Sequence, residues 1–127
     1  MTNELVEALA RVSAYISEDS APKPERKALK EAIKLSLGEV SRRAPGHSVE
    51  LRVPPYAAVQ CIEGPRHTRG TPPNVVEVTS RVWLRLAVGD LNWNDALSSG
   101  QVDVSGNRAS EVGSILPLMS LPLNPGS

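Results

Sequence analysis

Phenylalanine is absent from this 127-residue chain, and its aromatic complement is two Trp and two Tyr. A domain of this length buries about two-thirds of its unfolded surface, so its core must be built from Leu, Val, Ile and Ala. Cysteine is almost as scarce. Cys61 stands alone, which excludes an intrachain disulfide, and one thiol with two histidines excludes a Cys/His metal cluster. Neither sign of charge is in excess: 14 Lys plus Arg face 14 Asp plus Glu. That balance excludes the broad positive field on which sequence-independent nucleic-acid binding depends. No apolar run approaches the roughly 18–20 residues of a membrane span, and MTNELVEALARV lacks the basic-then-apolar order of a secretory signal. These absences point to a single domain over residues 1–127 in a reducing cytoplasm. They leave no metal, cofactor, nucleic-acid partner or stable membrane insertion to expect, and they are silent on oligomeric state.

What is present falls into helical and extended periods. Leu5, Leu9, Val12 and Ile16 stand at helical spacing over residues 3–17. SEDSAPKP then supplies turn formers, and its prolines suit a helix start. A second stripe of Leu29, Ile33, Leu37 and Val40 runs over residues 24–43, with Lys23, Lys27, Lys30 and Lys34 towards the other side. Such a lysine row reads first as a solvated helix face and only secondarily as a contact for anionic membranes. Ala44-Pro45-Gly46 closes this N-terminal helical part, residues 1–45.

The period then changes to two. SVELRV (48–53), YAAVQCIE (56–63), NVVEVT (74–79) and QVDVS (101–105) read as strands. Helical spacing returns through Val82, Trp83, Leu86 and Ala87, with Gly89 as a left-handed stop. Asn92 is placed to cap a short helix over 93–99, and a last helix is expected over 108–116 before Pro117. Residues 119–127 are too proline-rich for a regular element and read as a flexible tail. Helices, a strand cluster, then helices around one late strand make an α+β fold. Its sheet is expected to be twisted and mostly antiparallel, with four to five strands.

Between the second and third strands, GPRHTRGTPP gathers Arg66, His67 and Arg69 among glycines and prolines. Guanidinium groups grip carboxylates or phosphates bidentately, an imidazole can donate, and Gly64 and Gly70 let backbone amides approach. The plainer alternative is a solvated connection whose arginines pair with Glu63 or Glu77. Cys61 with His67 could suggest a thiol nucleophile and its base. A thiol inside an apolar strand behaves instead as a small hydrophobe, so no catalytic residue is assigned. Trp83 and Trp93 read as core anchors, the alternative being that one ring lines a ligand cavity.

The run VVEVTSRVWLRLAVGDLNWNDALSSGQVDVSGN, residues 75–107, resembles the C-terminal half of the sterol carrier protein type-2-like family. Leu84, Leu86, Gly89, Leu91, Asn92, Ala96, Gly100, Val102, Val104, Gly106 and Asn107 carry the match. The upstream run VELRVPPYAAVQCIEGPRHTRGTPPNVVEV is similar to a stand-alone bacterial branch of that superfamily. It is similar too to the carrier-like domain appended to mycothiol-dependent maleylpyruvate isomerases. The resemblance covers roughly residues 48–118, the carrier-like core. It implies a sheet with helices packed on one face and, in many members, an apolar tunnel between them that holds a lipid or acyl ligand. On that footing Trp83, Leu84, Leu86, Leu97, Val102, Val104, Leu116 and Leu118 are the candidate cavity residues, and Arg66, His67 and Arg69 would hold an acidic head group. The implied function is a small non-enzymatic binder of an apolar or amphipathic ligand. The alternative is an accessory domain whose loop arginines face a separate catalytic protein partner.

Overall fold

A computed structural model describes residues 3–64 and 74–120. The chain runs α1 (Asn3–Arg11), α2 (Ser13–Ser17), α3 (Arg26–Arg43), β1 (Val49–Val53), β2 (Ala57–Cys61), β3 (Asn74–Val78), α4 (Ser80–Ala87), α5 (Trp93–Ser98) and β4 (Val102–Ser105), then a 3-10 helix (Ala109–Ile115). The α+β layout is the expected one. The single helix expected over 3–17 is divided at Val12, whose N–H donates three residues back to Leu9 O (3.2 Å). That tightened turn keeps Leu9, Val12 and Ile16 all buried, while α2 swings against α4. The last helix winds as 3-10 instead of α. Residues three apart eclipse one another in that winding, so buried Ala109 and Val112 fall in line with half-buried Ile115.

The four strands form one sheet in the order β2-β1-β3-β4. β1 and β2 are an antiparallel hairpin in register Val53↔Ala57 to Val49↔Cys61, turned through Pro54–Tyr56, where Tyr56 N–H donates to Val53 O (3.0 Å). β3 lies parallel to β1 on its other side, with Val49↔Asn74, and β4 pairs antiparallel to β3, with Val78↔Val102. Two of the three pairings are therefore antiparallel.

Alternation sorts the faces. Val49, Leu51, Val53, Cys61, Val76, Val78 and Val102 point inward and are buried, whereas Glu50, Arg52, Glu77 and Asp103 alternate with them on the outer face. Helices cover the inner face, and their stripes join these strands in one aliphatic cluster around Trp83. The Trp83 N–H donates to Ser36 Oγ (2.8 Å), and that hydroxyl donates to Ala32 O (2.7 Å), so the polar atoms inside the core are paired.

The chain after β4 is tied back to the helices. Leu118 N–H and Met119 N–H both approach Ala87 O, at 2.8 and 3.2 Å. Arg43 donates to Leu118 O (2.9 Å) while holding Glu39 at 2.7 Å. Of the expected tail, residues 121–127 lie outside the described residues. No described helix is long and apolar enough to cross a membrane.

Candidate functional site

Two arrangements stand out around the 3-10 helix, one of open side chains and one of closed charge pairs. The open one begins where α4 stops. Gly89 takes φ +78°, a left-handed conformation that costs glycine least, and the amides of Asp90 and Leu91 both turn back onto Arg85 O. Asn92 then caps α5, its Oδ1 accepting from Asn94 N–H (2.8 Å) and Asp95 N–H (3.3 Å). This turn brings Leu91 and Trp93 beside Leu86 and Leu97. The 3-10 helix and the residues after it approach from the other side with Gly113, Leu116 and Pro117.

Together these residues line a cleft of about 470 Å³, with Asn92, Asn94, Ser110 and Ser114 as its polar groups. That volume lies within the range of small-molecule sites, roughly 300–1,000 Å³. Gly113 fixes the indole of Trp93. A Cβ at position 113 would lie 2.3 Å from indole Cδ1 and 2.6 Å from both Cγ and Nε1. Near-equal approach to three adjacent ring atoms means that the backbone meets the ring on its face, not its edge. Any side chain at 113 would lift the indole off.

The closed arrangement is centred on Arg108 at the start of the same 3-10 helix. Its guanidinium forks onto Glu111 (2.7 and 3.1 Å) and also donates to Ser48 Oγ (3.2 Å) and Glu63 O (2.8 Å). Its backbone N–H donates to Asn74 Oδ1 (2.8 Å), and Asn74 Nδ2 donates to Ser48 O (3.2 Å). A Cβ at Gly64 would fall 1.7 Å from Arg108 Nη1, so a side chain there would displace the guanidinium. Next to it Ile62 takes φ +69°, a costly conformation for a β-branched residue. Its N–H donates to Ala44 O (2.7 Å) and its carbonyl accepts from Ser48 N–H (3.0 Å), which hold it there. Both stems of the segment between β2 and β3 are thereby tied to Arg108, the β2 stem through its guanidinium at Glu63 O and the β3 stem through its backbone N–H at Asn74. Its contact with Arg108 holds the Glu111 carboxyl below the usual carboxylate range.

Among the described residues, one thiol and one imidazole remain. Cys61 is buried, and burial alone pushes its thiol up to about 11. His47 Nδ1 is 2.6 Å from Gln60 Oε1 at the exposed edge of the hairpin.

Of the residues expected around a cavity, Leu86, Leu97 and Leu116 line the cleft. Trp83, Leu84, Val102 and Leu118 are buried within the core, and Val104 faces inward on the edge strand with 38 % of its surface exposed. Arg66, His67 and Arg69 lie outside the described residues. Sequence reasoning did not single out Arg108 or Gly113. A glycine inside an otherwise helical pattern was the available signal for Gly113. Nothing in the local pattern announces that Arg108 reaches back to residues 48, 63 and 74.

Residues 25–118 match a family described as bacterial SCP ortholog. The chain belongs to that family. The matched span begins at Glu25, immediately before α3, and ends at Leu118, so it contains the sheet, every residue of the cleft and the whole Arg108 network. Helices α1 and α2 lie outside it. No curated protein matches the chain. Sterol-carrier-like membership agrees with the resemblance carried by residues 75–107, and it attaches to a fold whose sheet has one helix-covered face.

Proposed function

We propose that this protein is a non-enzymatic binder of a lipid-like or otherwise amphipathic small molecule, and that the cleft between α4, α5 and the 3-10 helix receives it. The observation that carries this reading is the cleft's composition. Leu86, Leu91, Trp93, Leu97, Leu116 and Pro117 offer apolar surface, and the polar groups beside them, which present the larger share of the accessible lining, can orient a head group. Membership of a sterol-carrier-like family supports the same class of ligand. A binding role is favoured over catalysis because the one thiol is buried and held protonated, far from acting as a nucleophile.

Native mass spectrometry and displacement of a fluorescent fatty-acyl probe test the reading. Binding at micromolar concentration, abolished by Trp93→Ala with Leu97→Asp, is the expected result. Absence of any bound or displaced ligand in both assays overturns it.

A second reading has its own support. The Arg108 network braces both stems of the Arg66/His67/Arg69 segment, which is the design expected of a loop presented to a protein partner or an anion. In that case the domain is an accessory module, and pull-down by a separate catalytic chain would depend on Arg66 and Arg69 and not on Trp93.

A further inference from the structure

We infer that the cleft selects an uncharged head group, a hydroxyl or amide, and that Trp93 is its specificity-determining residue. This rests on the binding role proposed above and adds the chemical class of the ligand. The first observation is the absence of ionic groups: among the described residues, none that line the cleft carries a charge. An ionised carboxylate or ammonium seated there would find no opposite charge in the lining to replace the water it gives up, which disfavours ionic ligands.

The second observation is which polar groups stand open. Asn94 and Ser110 have exposed side chains with no hydrogen-bond partner in the protein, and the Nδ2 of Asn92 is likewise open while its Oδ1 caps α5. Amides and hydroxyls both donate and accept, so they complement a neutral hydroxyl or amide rather than a single ionised form. The third observation is Trp93 itself. One face of its indole is covered by Gly113 and its N–H has no protein acceptor, unlike the paired N–H of Trp83. A rigid amphipathic ring held in this way supplies apolar contact and one directed donor to the same ligand.

The Arg108 network makes the contrast with an anion site sharp. Arg108 heads the 3-10 helix with its donors already committed to Glu111, Ser48 and Glu63, and Arg85 on α4 is likewise committed to Asp19, Asp90 and Ile16 O. An acidic head group in the cleft could not recruit Arg108 without breaking its bonds to Glu111, Ser48 and the Glu63 stem.

Isothermal titration of the full chain with three ten-carbon probes below their micellar concentrations separates the possibilities. The probes are 1-decanoylglycerol, decanoate and decyltrimethylammonium. The neutral glyceride should bind at least tenfold more tightly than either ion, and Gly113→Val, which lifts the indole, should weaken it at least tenfold. Should that variant fail to fold, Ser110→Lys serves in its place. It lies on an exposed position and should raise decanoate affinity about tenfold while leaving the melting temperature unchanged. Decanoate binding as well as or better than the glyceride to the unaltered chain overturns this inference and leaves the binding role standing. Failure of all three probes to bind overturns the binding role, and the inference falls with it.

Discussion

Trp83 and Trp93 occupy opposite conditions in the same short span of chain. Trp83 is wholly buried with its N–H given to Ser36 Oγ, whereas Trp93 is half-buried on Gly113 with its N–H open. The same division separates the two ends of the 3-10 helix. Arg108 begins it with its donors taken up; Ser110, Gly113 and Ser114 continue it along a cleft whose polar groups are largely free. Satisfied groups hold a fold together, and open ones are what a ligand can use. Here the carrier-like framework and the candidate site share an element yet rely on different residues of it.

The first way to break the comparison is to truncate both indoles. Trp83→Ala should cost about 3–5 kcal/mol of unfolding free energy, the usual range for emptying a core aromatic. Trp93→Ala should cost about 1 kcal/mol, since that ring keeps much of its solvent contact. Urea unfolding of the two variants checks this, and equal losses would erase the distinction. Arg108→Ala comes next. It strands Ser48, Glu111 and Glu63 O and should lower the urea midpoint measurably, as expected when charge-assisted bonds are lost. Ligand affinity should stay within twofold. A variant as stable as the parent would show that the stems of the loop do not depend on this guanidinium.

A comparable effect is expected from acid. Glu39 is 5 % exposed and bonded to Arg42 (2.5 Å) and Arg43 (2.7 Å), and these guanidiniums, Arg42 first, hold its carboxyl at about 2 against an ordinary 4.5. The folded carboxyl is the stronger acid, so its contribution is complete above the ordinary value. It is lost as the pH falls from about 4.5 towards 2. With about 1.4 kcal/mol per pH unit, and a discount because the Arg42 side chain is 64 % exposed, the loss should be roughly 2 kcal/mol. Urea titrations at pH 5.5 and 2.5 should therefore differ less for Glu39→Gln than for the parent; identical slopes would remove the pair from the acid response. The smallest effect belongs to the loop. Arg66→Ala with Arg69→Ala should change stability by less than about 0.5 kcal/mol, and a collapse would mark that loop as a structural element.

The framework was legible because its signals are local. Val49, Leu51 and Val53 alternate, Leu29, Ile33, Leu37 and Val40 repeat every three to four residues, and Asn92 stands where a cap belongs; each forms what its spacing implies. The parallel pairing of β3 with β1 was not legible, because alternation fixes which face a residue takes and says nothing of the neighbouring strand's direction. The break at Val12 and the 3-10 winding at 109–115 arise from tertiary packing that overrides helical spacing. The cleft was half legible. Leu86, Leu97 and Leu116 were within reach of a family resemblance, but Gly113 acts through close approach to the ring of Trp93, twenty residues earlier in sequence, which no periodicity encodes. The same limit hid Arg108, whose partners at 48, 63 and 74 come together only in the folded chain.

The two indole N–H groups give the central claim its most direct measurement. In a ¹H–¹⁵N spectrum titrated with 1-decanoylglycerol, the Trp93 resonance should move progressively while that of Trp83, bonded to Ser36 in the core, stays fixed. Movement of Trp83 with Trp93 unchanged would put the ligand between sheet and helices and contradict the assignment of the cleft.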